Sequence, residues 1–445
     1  VATVELLAEA VRQHSRREQF ITTNHQPWNP RSDYFDMNRH LDISGTNYYP
    51  AFGSRSRKIS LGLTACRSYQ HKNFQVHELR NSAHMVPGED GNQPAPGEVT
   101  RLTFHAIGNG ANGIFYFRWR ACPFGCEQTH GTITDYDGRP RRIYPEIQSI
   151  GVRLRRLSPC LEEATVESDI ALLYDFEARW AAEVKSRWNG PANLFMDRQH
   201  LLHRCIRQLG YNCDLVSPTQ DFSRYRLIIV PMLPVIRDET VAKLLAWQEA
   251  GGTLLWHPLC GLKDAESIIY PDRIHPDLRA AWGVTLQEYL SIGPHDPVKI
   301  VWNGKEYGAE LFADCLELPA DGIEEARLLH PDFPPYPGIY QKPVKKGRLI
   351  YFAAFAEESL YQDYLSWLLP QVGIAPILPG PLPPEIEICE RRNDRERFVF
   401  LINHSKSEQH LALPMPATDI YHEEELERGP VHLSPHGVRI LRFPL

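Results

Sequence analysis

The feature that most limits the possible folds is a regular alternation of apolar runs with amphipathic segments through residues 1–168. Apolar runs that are bounded by turn residues and separated by segments of helical period are typical of βα units. The candidate strands are residues 20–24, 42–49, 74–78 and 113–119, and the helical patterns between them lie around residues 59–72 and 99–109. The sequence therefore predicts four consecutive βα units.

A second block, residues 169–374, alternates in the same way. Its runs at residues 171–174 and 227–230 are continuously apolar, as expected for parallel strands that are covered on both faces. Gly251 and Gly252 end the helical pattern that begins after Asp238. These signals predict a doubly wound α/β domain.

A cluster of prolines, APILPGPLPPE at residues 375–385, separates this block from the rest. Proline cannot continue a helix or a central strand because it lacks the backbone donor. The segments that follow alternate apolar and polar residues around turns, which predicts a small antiparallel β domain over residues 375–445. Three domains also agree with the usual size of about 150 residues each.

Charge and composition exclude several classes of protein. The chain has 48 Lys and Arg against 55 Asp and Glu, a net charge of −7, and no long basic block, so a nucleic-acid partner is not expected. No apolar run is long enough to span a membrane, and the amphipathic N-terminal segment with Glu5 and Glu9 does not resemble an export signal. Nine scattered cysteines are typical of reduced thiols. We expect a cytoplasmic protein that acts on a neutral or polar small substrate.

Polar and aromatic residues end the predicted strands, where barrel enzymes place their chemistry. Glu78 ends the strand FQVHE, and Glu127 and His130 follow the next strand in FGCEQTHG. Glycoside hydrolysis needs two carboxyl groups that flank the scissile bond. A single Glu after a strand is also a common solvated loop residue, so this spacing alone leaves both interpretations open.

The chain resembles the β-galactosidases of glycoside hydrolase family 42 in a series of motifs that keep their order: ITTN, DISGTNYYP, FQVHE, PAPGEVTRLTFHAIGNGANGIFYFRWR, GCEQTHG, IALLYDFEARWA and YRLIIVPMLPVIRDETVAKLLAWQEAGGTLLW. The resemblance covers nearly the whole chain. It implies a (β/α)8 TIM barrel, an α/β trimerisation domain similar to flavodoxin or a glutamine amidotransferase, and a C-terminal β domain. It also implies a homotrimer that hydrolyses β-galactosides with retention and without a cofactor. No metal-binding residue is assigned in this chain, and a zinc site in the missing half of the barrel stays an open alternative.

The resemblance assigns roles to five residues. Glu78 corresponds to the catalytic nucleophile at the end of the seventh barrel strand. Glu127 and His130 keep the Glu-x-x-His spacing of residues that hold galactose hydroxyls, and such a pair can distinguish an axial from an equatorial hydroxyl. Phe117 matches an aromatic residue of the sugar pocket, and Tyr49 is expected at the same mouth. For both aromatic residues, simple barrel packing is the alternative.

Two features depart from the family pattern. The family's acid/base Glu follows an Asn at the end of the fourth strand, and this chain has no Asn-Glu dipeptide. The four βα units correspond to strands five to eight, and a barrel typically needs about 250 residues, so we expect residues 1–168 to be the C-terminal half of the barrel. The segment HELRNSAHMVPGEDGNQPAPG also lacks the Trp that stacks on the sugar in the family. Galactosides remain the first expectation for the substrate, with arabinopyranosides next.

Three further hypotheses compete with this interpretation. The chain could be a non-catalytic fragment or oligomerisation scaffold. Cys260 follows a strand of the α/β domain, where glutamine amidotransferases place their nucleophile, although no later His-x-Glu lies within that domain's last strands. Cys122 and Cys126 with His130 could suggest zinc, but their spacing favours two free thiols. His422, beside three acidic residues, is expected to be a solvated loop residue.

Overall fold

A computed structural model describes residues 1–16, 18–26, 29–53, 60–85, 92–184 and 193–445. These residues form two compact units. The first contains Val1–Glu167, Arg207–Asn212 and Pro376–Leu445, and the second contains Ser168–Ile206 and Cys213–Ala375. None of the helices in the described ranges combines the length and the apolar character that crossing a membrane requires.

The N-terminal part of the first unit alternates strands and helices. In chain order the elements are α1 (Ala2–His14), β1 (Asn24–His25), α2 (Tyr34–Asn38), β2 (Gly45–Tyr48), α3 (Ser60–Ser68), β3 (Phe74–Arg80), α4 (Glu98–Gly108), β4 (Ala111–Phe117) and α5 (Tyr144–Leu161). The strands pair in parallel in the order β1-β2-β3-β4, so each lies beside its predecessor. This confirms the predicted βα units and is the arrangement expected for half of a (β/α)8 barrel.

Some predicted boundaries in this part are wrong. The first strand is only Asn24–His25, and Phe20 is 52% exposed. The backbone around Ile21 is held by a loop contact instead of a strand ladder: its N–H donates to the Asp42 side chain at 2.6 Å and its carbonyl accepts from the Asp42 N–H at 2.9 Å. The fourth strand ends at Phe117 and not at residue 119. Helix α3 begins at Ser60, and residue 59, where the predicted helix began, lies outside the described residues.

The second unit begins with a parallel α/β arrangement. Its first elements are β5 (Ile170–Leu173), α6 (Phe176–Glu183), α7 (Leu194–Gln208), β6 (Asp214–Val216), β7 (Leu227–Val230), α8 (Asp238–Ala250), β8 (Thr253–Trp256) and α9 (Pro276–Trp282). The strand order β6-β5-β7-β8 is that of a doubly wound sheet. Every residue of these four strands is buried, which explains the continuously apolar sequences of β5 and β7.

The same sheet continues into a large antiparallel region that the sequence patterns did not predict. Its elements are β9 (Thr285–Ile292), β10 (Lys299–Trp302), β11 (Lys305–Glu317), β12 (Ile323–His330), β13 (Phe333–Val344), β14 (Gly347–Phe352), β15 (Ala354–Ala356) and the helix α10 (Glu358–Gln371). Strand β14 joins the two regions because it pairs in parallel with β8 and antiparallel with β13. Strand β13 contains four prolines, and its register against β12 shifts repeatedly, so the sequence did not read as a regular strand.

The C-terminal part of the first unit is antiparallel, as predicted. Its strands are β16 (Ile386–Arg392), β17 (Glu396–Asn403), β18 (Gln409–Leu413), β19 (Ala417–Asp419), β20 (Glu424–Leu426), β21 (Gly429–Leu433) and β22 (Val438–Pro444). They form one sheet in the order β16-β17-β22-β19-β20 and a separate two-stranded antiparallel sheet of β18 and β21, with apolar side chains between the two sheets. Helix α4 packs against β17, and the absence of a side chain at Gly108 permits this, since a Cβ there would lie 3.0 Å from the Phe400 ring.

Candidate active site

Glu78 lies in strand β3, two residues before its end, at a β-bulge. Strand β2 pairs Thr46 with Val76 and then Asn47 with Glu78, so His77 has no partner in that register. The register of β3 against β4 also shifts between Val76 and Leu79. A bulge of this kind changes the direction of the side chains that follow it.

Both oxygens of the Glu78 carboxylate accept hydrogen bonds. The Tyr49 hydroxyl donates to Oε2 at 2.7 Å, and the Asn24 amide nitrogen donates to Oε1 at 3.1 Å. Burial, followed by the hydrogen bond to Glu78, raises the pKa of Tyr49 well above its usual value, so the phenol stays protonated and remains a donor. The carboxylate is therefore held in one orientation by two neutral donors from the ends of neighbouring strands.

Glu127 lies in the loop after β4, where Arg118 holds it. The Arg118 guanidinium contacts the Glu127 carboxylate at 2.9 Å and donates to its backbone carbonyl at 3.2 Å. After burial and the hydrogen bond to Glu78, the charges of Glu78 and Glu127 also raise the pKa of Tyr49. The Glu127 side chain is 49% exposed and can still accept hydroxyl donors.

His130 and Phe117 lie together beside this loop. The His130 ring meets Phe117 edge-on at a centroid distance of 5.6 Å and meets His84 edge-on at 4.5 Å. Its Nδ1 atom is buried and has no hydrogen-bond partner in the described part of the structure. The segment without the family's Trp is residues 77–97, and its middle part, residues 86–91, lies outside the described residues.

The structure thus brings Glu78 together with Tyr49, and Phe117 together with His130. Asn24, His77 and Arg118 were not predicted as site residues, although Asn24 ends a predicted strand. Arg118 belongs to the FRWR motif, which offered a signal, whereas Asn24 precedes Glu78 by 54 residues and only the parallel pairing of β1, β2 and β3 joins them.

A second polar cluster has the composition of a metal site but the hydrogen bonding of a structural one. Ligand atoms of His105, Glu387 and His404 lie within 4.8 Å of one another, and all three residues are buried. Arg101 donates to His404 Nδ1 at 2.7 Å, so the second ring nitrogen must carry the proton that points at Glu387 Oε2, 3.1 Å away. A ring nitrogen that donates to the carboxylate is not free to bind a cation.

The Glu387 carboxylate is instead fully paired. Burial alone raises its pKa, but His105, His404 and Arg207 outweigh burial and hold that pKa well below the usual value. Ser60 also donates to it at 2.8 Å. The cluster joins the barrel-like part of the first unit to its C-terminal sheet.

The remaining cysteine and histidine candidates have ordinary structural environments. Cys260 is buried, accepts the Leu233 N–H at 3.2 Å, and burial raises the pKa of its thiol, so it lacks the properties of an activated nucleophile. Cys122 and Cys126 are free thiols, and Cys126 is exposed. His422 is not simply solvated, because its Nδ1 pairs with the buried Asp419 at 2.9 Å.

Three family models match successive parts of the chain. They are described as β-galactosidase for residues 1–157, β-galactosidase trimerisation domain for residues 168–375 and β-galactosidase C-terminal domain for residues 385–443. The chain belongs to glycoside hydrolase family 42.

Individual β-galactosidases are similar over nearly all of this chain. The β-galactosidase BgaA of Planococcus sp. (strain 'SOS Orange') is 26% identical over 450 residues, which are 97% of this chain and 64% of the relative. GanA of Bacillus subtilis (strain 168) is 24% identical, over 92% of this chain and 62% of the relative. This chain thus spans less than two thirds of the length of these curated relatives.

Solved structures show the same fold. The family 42 β-galactosidase Gan42B superposes with a TM-score of 0.93 at 23% identity, covering 100% of this chain and 66% of the other. The β-galactosidase from Bacillus circulans sp. alkalophilus gives a TM-score of 0.91 at 20% identity, covering 99% of this chain and 66% of the other.

Proposed function

We propose that this family 42 chain carries the nucleophile and part of the sugar-binding site of a retaining β-galactosidase. The observation that supports this most directly is the Glu78 carboxylate, which accepts one hydrogen bond from Tyr49 and one from Asn24. A nucleophilic carboxylate needs a defined orientation toward the anomeric carbon, and two donors from neighbouring strands provide it.

In this proposal Glu78 attacks the anomeric carbon of a β-galactoside, and the bond to the leaving oxygen breaks. The covalent galactosyl-enzyme is then hydrolysed by water, with overall retention. Protonation of the leaving group is the task of an acid/base carboxyl about 5 Å from the nucleophile. The family's Asn-Glu pair does not occur in these 445 residues, so the proposal assigns no proton donor within them.

Four residues are proposed to bind the sugar: Glu127, His130, Phe117 and Tyr49. Glu127 can accept hydroxyl protons while Arg118 keeps its carboxylate in place. The unpaired Nδ1 of His130 is available for one further hydrogen bond. The Phe117 ring supplies an apolar surface next to that imidazole.

A substrate that needs no proton donor tests the nucleophile directly. With 2,4-dinitrophenyl β-galactoside and added azide, Glu78 should form the galactosyl-enzyme, and azide should release β-galactosyl azide of retained configuration. General acid catalysis contributes about 10²- to 10⁴-fold, so alkyl galactosides should react far more slowly.

Glu78→Gln should abolish azide product, whereas Glu162→Gln, a change in an exposed carboxylate outside the site, should not. Azide product from Glu78→Gln would disprove the nucleophile assignment. No product from the unmodified chain would favour the alternative, a non-catalytic scaffold. Comparing galactoside with arabinopyranoside under the same conditions decides the sugar.

We further propose that the chain forms a homotrimer in the cytoplasm. The match of residues 168–375 to the family's trimerisation domain supports the assembly, and nine free cysteines fit a reducing compartment. Sedimentation velocity should show a species of three times the 51.1 kDa chain mass, and a monomer at micromolar concentration would contradict the assembly.

A further inference from the structure

The orientation of the Asn24 amide is determined by its partners. Its nitrogen has two hydrogens and faces two acceptors, Asn47 Oδ1 at 2.9 Å and Glu78 Oε1 at 3.1 Å. A flipped amide would direct its oxygen at the carboxylate, placing acceptor against acceptor. The Asn24 oxygen therefore points the other way, toward His77 Nδ1 at 3.1 Å.

This orientation defines the protonation of His77. Since Asn24 Oδ1 can only accept, His77 Nδ1 must carry a hydrogen. Burial lowers the pKa of His77, against the opposing effect of the Glu78 charge, so the ring is neutral near pH 7 and Nε2 is an acceptor. The Thr22 hydroxyl, 3.4 Å from Nε2, can donate to it. The Gln75 amide, whose oxygen is placed 3.3 Å from Nε2, has no second side-chain partner among the described residues, so its nitrogen can turn toward this acceptor, whereas the two partners of Asn24 fix that amide.

The fold provides a specific place for this imidazole. A Cβ at position 45 would overlap the His77 ring, so Gly45 of β2 leaves the space that the ring occupies. Phe115 of β4 meets the ring edge-on at 5.9 Å. The bulge makes His77 the extra residue of β3 and directs it to the same Asn24 that contacts Glu78.

From this geometry we propose that His77 is a positioning residue for the nucleophile: its Nδ1–H holds the Asn24 amide so that the amide N–H groups face Glu78. The inference rests on the proposed function of Glu78. It adds a relay from His77 through Asn24 to the Glu78 carboxylate, opposite the Tyr49 hydrogen bond. His77 itself makes no contact with substrate in this role.

The first test measures the tautomer and does not depend on activity. Long-range ¹H–¹⁵N correlation spectra of the ¹⁵N-histidine-labelled chain at pH 7.5 should show His77 as the Nδ1–H tautomer, assigned by loss of its signals in His77→Asn. Asn24→Leu should remove that preference. An Nε2–H tautomer of His77 in the unmodified chain would overturn the inference.

The second test measures the rate of galactosyl azide formation from the dinitrophenyl galactoside. His77→Phe keeps a ring against Phe115 but removes the donor, and should lower kcat about 10-fold, as expected for one lost hydrogen bond, with little change in KM. His77→Asn places an amide N–H near the position of Nδ1 and should recover most of the rate. The longer Gln side chain places its amide near the position of Nε2 instead, so His77→Gln should leave the rate low.

The outcomes separate the two proposals. Equal rates of galactosyl azide formation in His77→Phe, His77→Asn and the unmodified chain would overturn the positioning role, while Glu78 would remain the nucleophile. A large rise in KM with unchanged kcat would also overturn it, because that result indicates substrate binding. No azide product from the unmodified chain would overturn the proposed function and the positioning role together.

Discussion

Replacing Arg391 with methionine should loosen the first unit where its two parts meet. The Arg391 side chain is completely buried in β16 and has no carboxylate partner among its hydrogen bonds. It donates to five acceptors around the C-terminal ends of α4 and α5, which are Ile107 O, Ala111 O, Asn112 Oδ1, Leu161 O and Ala164 O, at 2.5–3.2 Å. Carbonyls at helix ends lack intrahelical partners, so one guanidinium serves several of them.

The expected loss follows from these contacts. The six hydrogen bonds of Arg391 satisfy these five acceptors, and at a net value of about 1 kcal/mol for each acceptor they would amount to about 5 kcal/mol. Methionine keeps an apolar stem and removes the cost of burying a cation, a cost that is visible because burial lowers the pKa of Arg391 to about 9. We therefore expect a net destabilisation of about 3–4 kcal/mol, in the range for disrupting a buried charged group.

Hydrogen exchange followed by mass spectrometry is suited to a chain with two units, because it reports opening of each segment separately. Peptides from α4, α5 and β16 should exchange about 100- to 1,000-fold faster in Arg391→Met. Arg392→Met is the matched control, since Arg392 is 42% exposed and pairs with Glu167 at the surface, and it should change exchange by less than 10-fold. Indistinguishable exchange in the two variants would refute the reasoning.

Two further predictions concern buried titratable groups. Urea midpoints of the first unit should fall as pH drops from about 6.5 toward 3: burial lowers the pKa of His404 to about 3, so the unfolded chain takes up that proton first. Glu387, whose pKa is held low, stabilises the folded state above about pH 4.3, and this stabilisation is lost as the pH falls below that value. His404→Gln should flatten the dependence of the urea midpoint on pH between about 6.5 and 4. A constant midpoint of the unmodified chain from about pH 7 to 4 would contradict this prediction. In native alkylation with N-ethylmaleimide, exposed Cys126 should react within minutes while buried Cys260 reacts only after denaturation; rapid labelling of Cys260 would revive the amidotransferase hypothesis.

Local signals in the sequence were sufficient for much of the architecture. Apolar periodicity identified βα units, the parallel core strands and the C-terminal antiparallel sheet, because burial on one or both faces leaves a repeating pattern in neighbouring residues. The antiparallel strands β9–β15 were not predicted: burial does not alternate regularly along β9, β11 and β13, and β13 contains four prolines. The roles of Glu78, Glu127 and His130 came from motif order, and they remain predictions.

The detailed site depended on the tertiary structure. Strand alternation would place His77 and Glu78 on opposite faces, yet the bulge brings both to Asn24. The acceptors of Arg391 precede it by 227 to 284 residues, and Glu387 meets Ser60 across 327 residues. Sequence alone determined the βα alternation, the parallel core strands and the C-terminal antiparallel strands, and the order of these parts, because that information is local. The structure decided which donor meets which acceptor, because such contacts depend on strand register and on the packing of elements far apart in the chain.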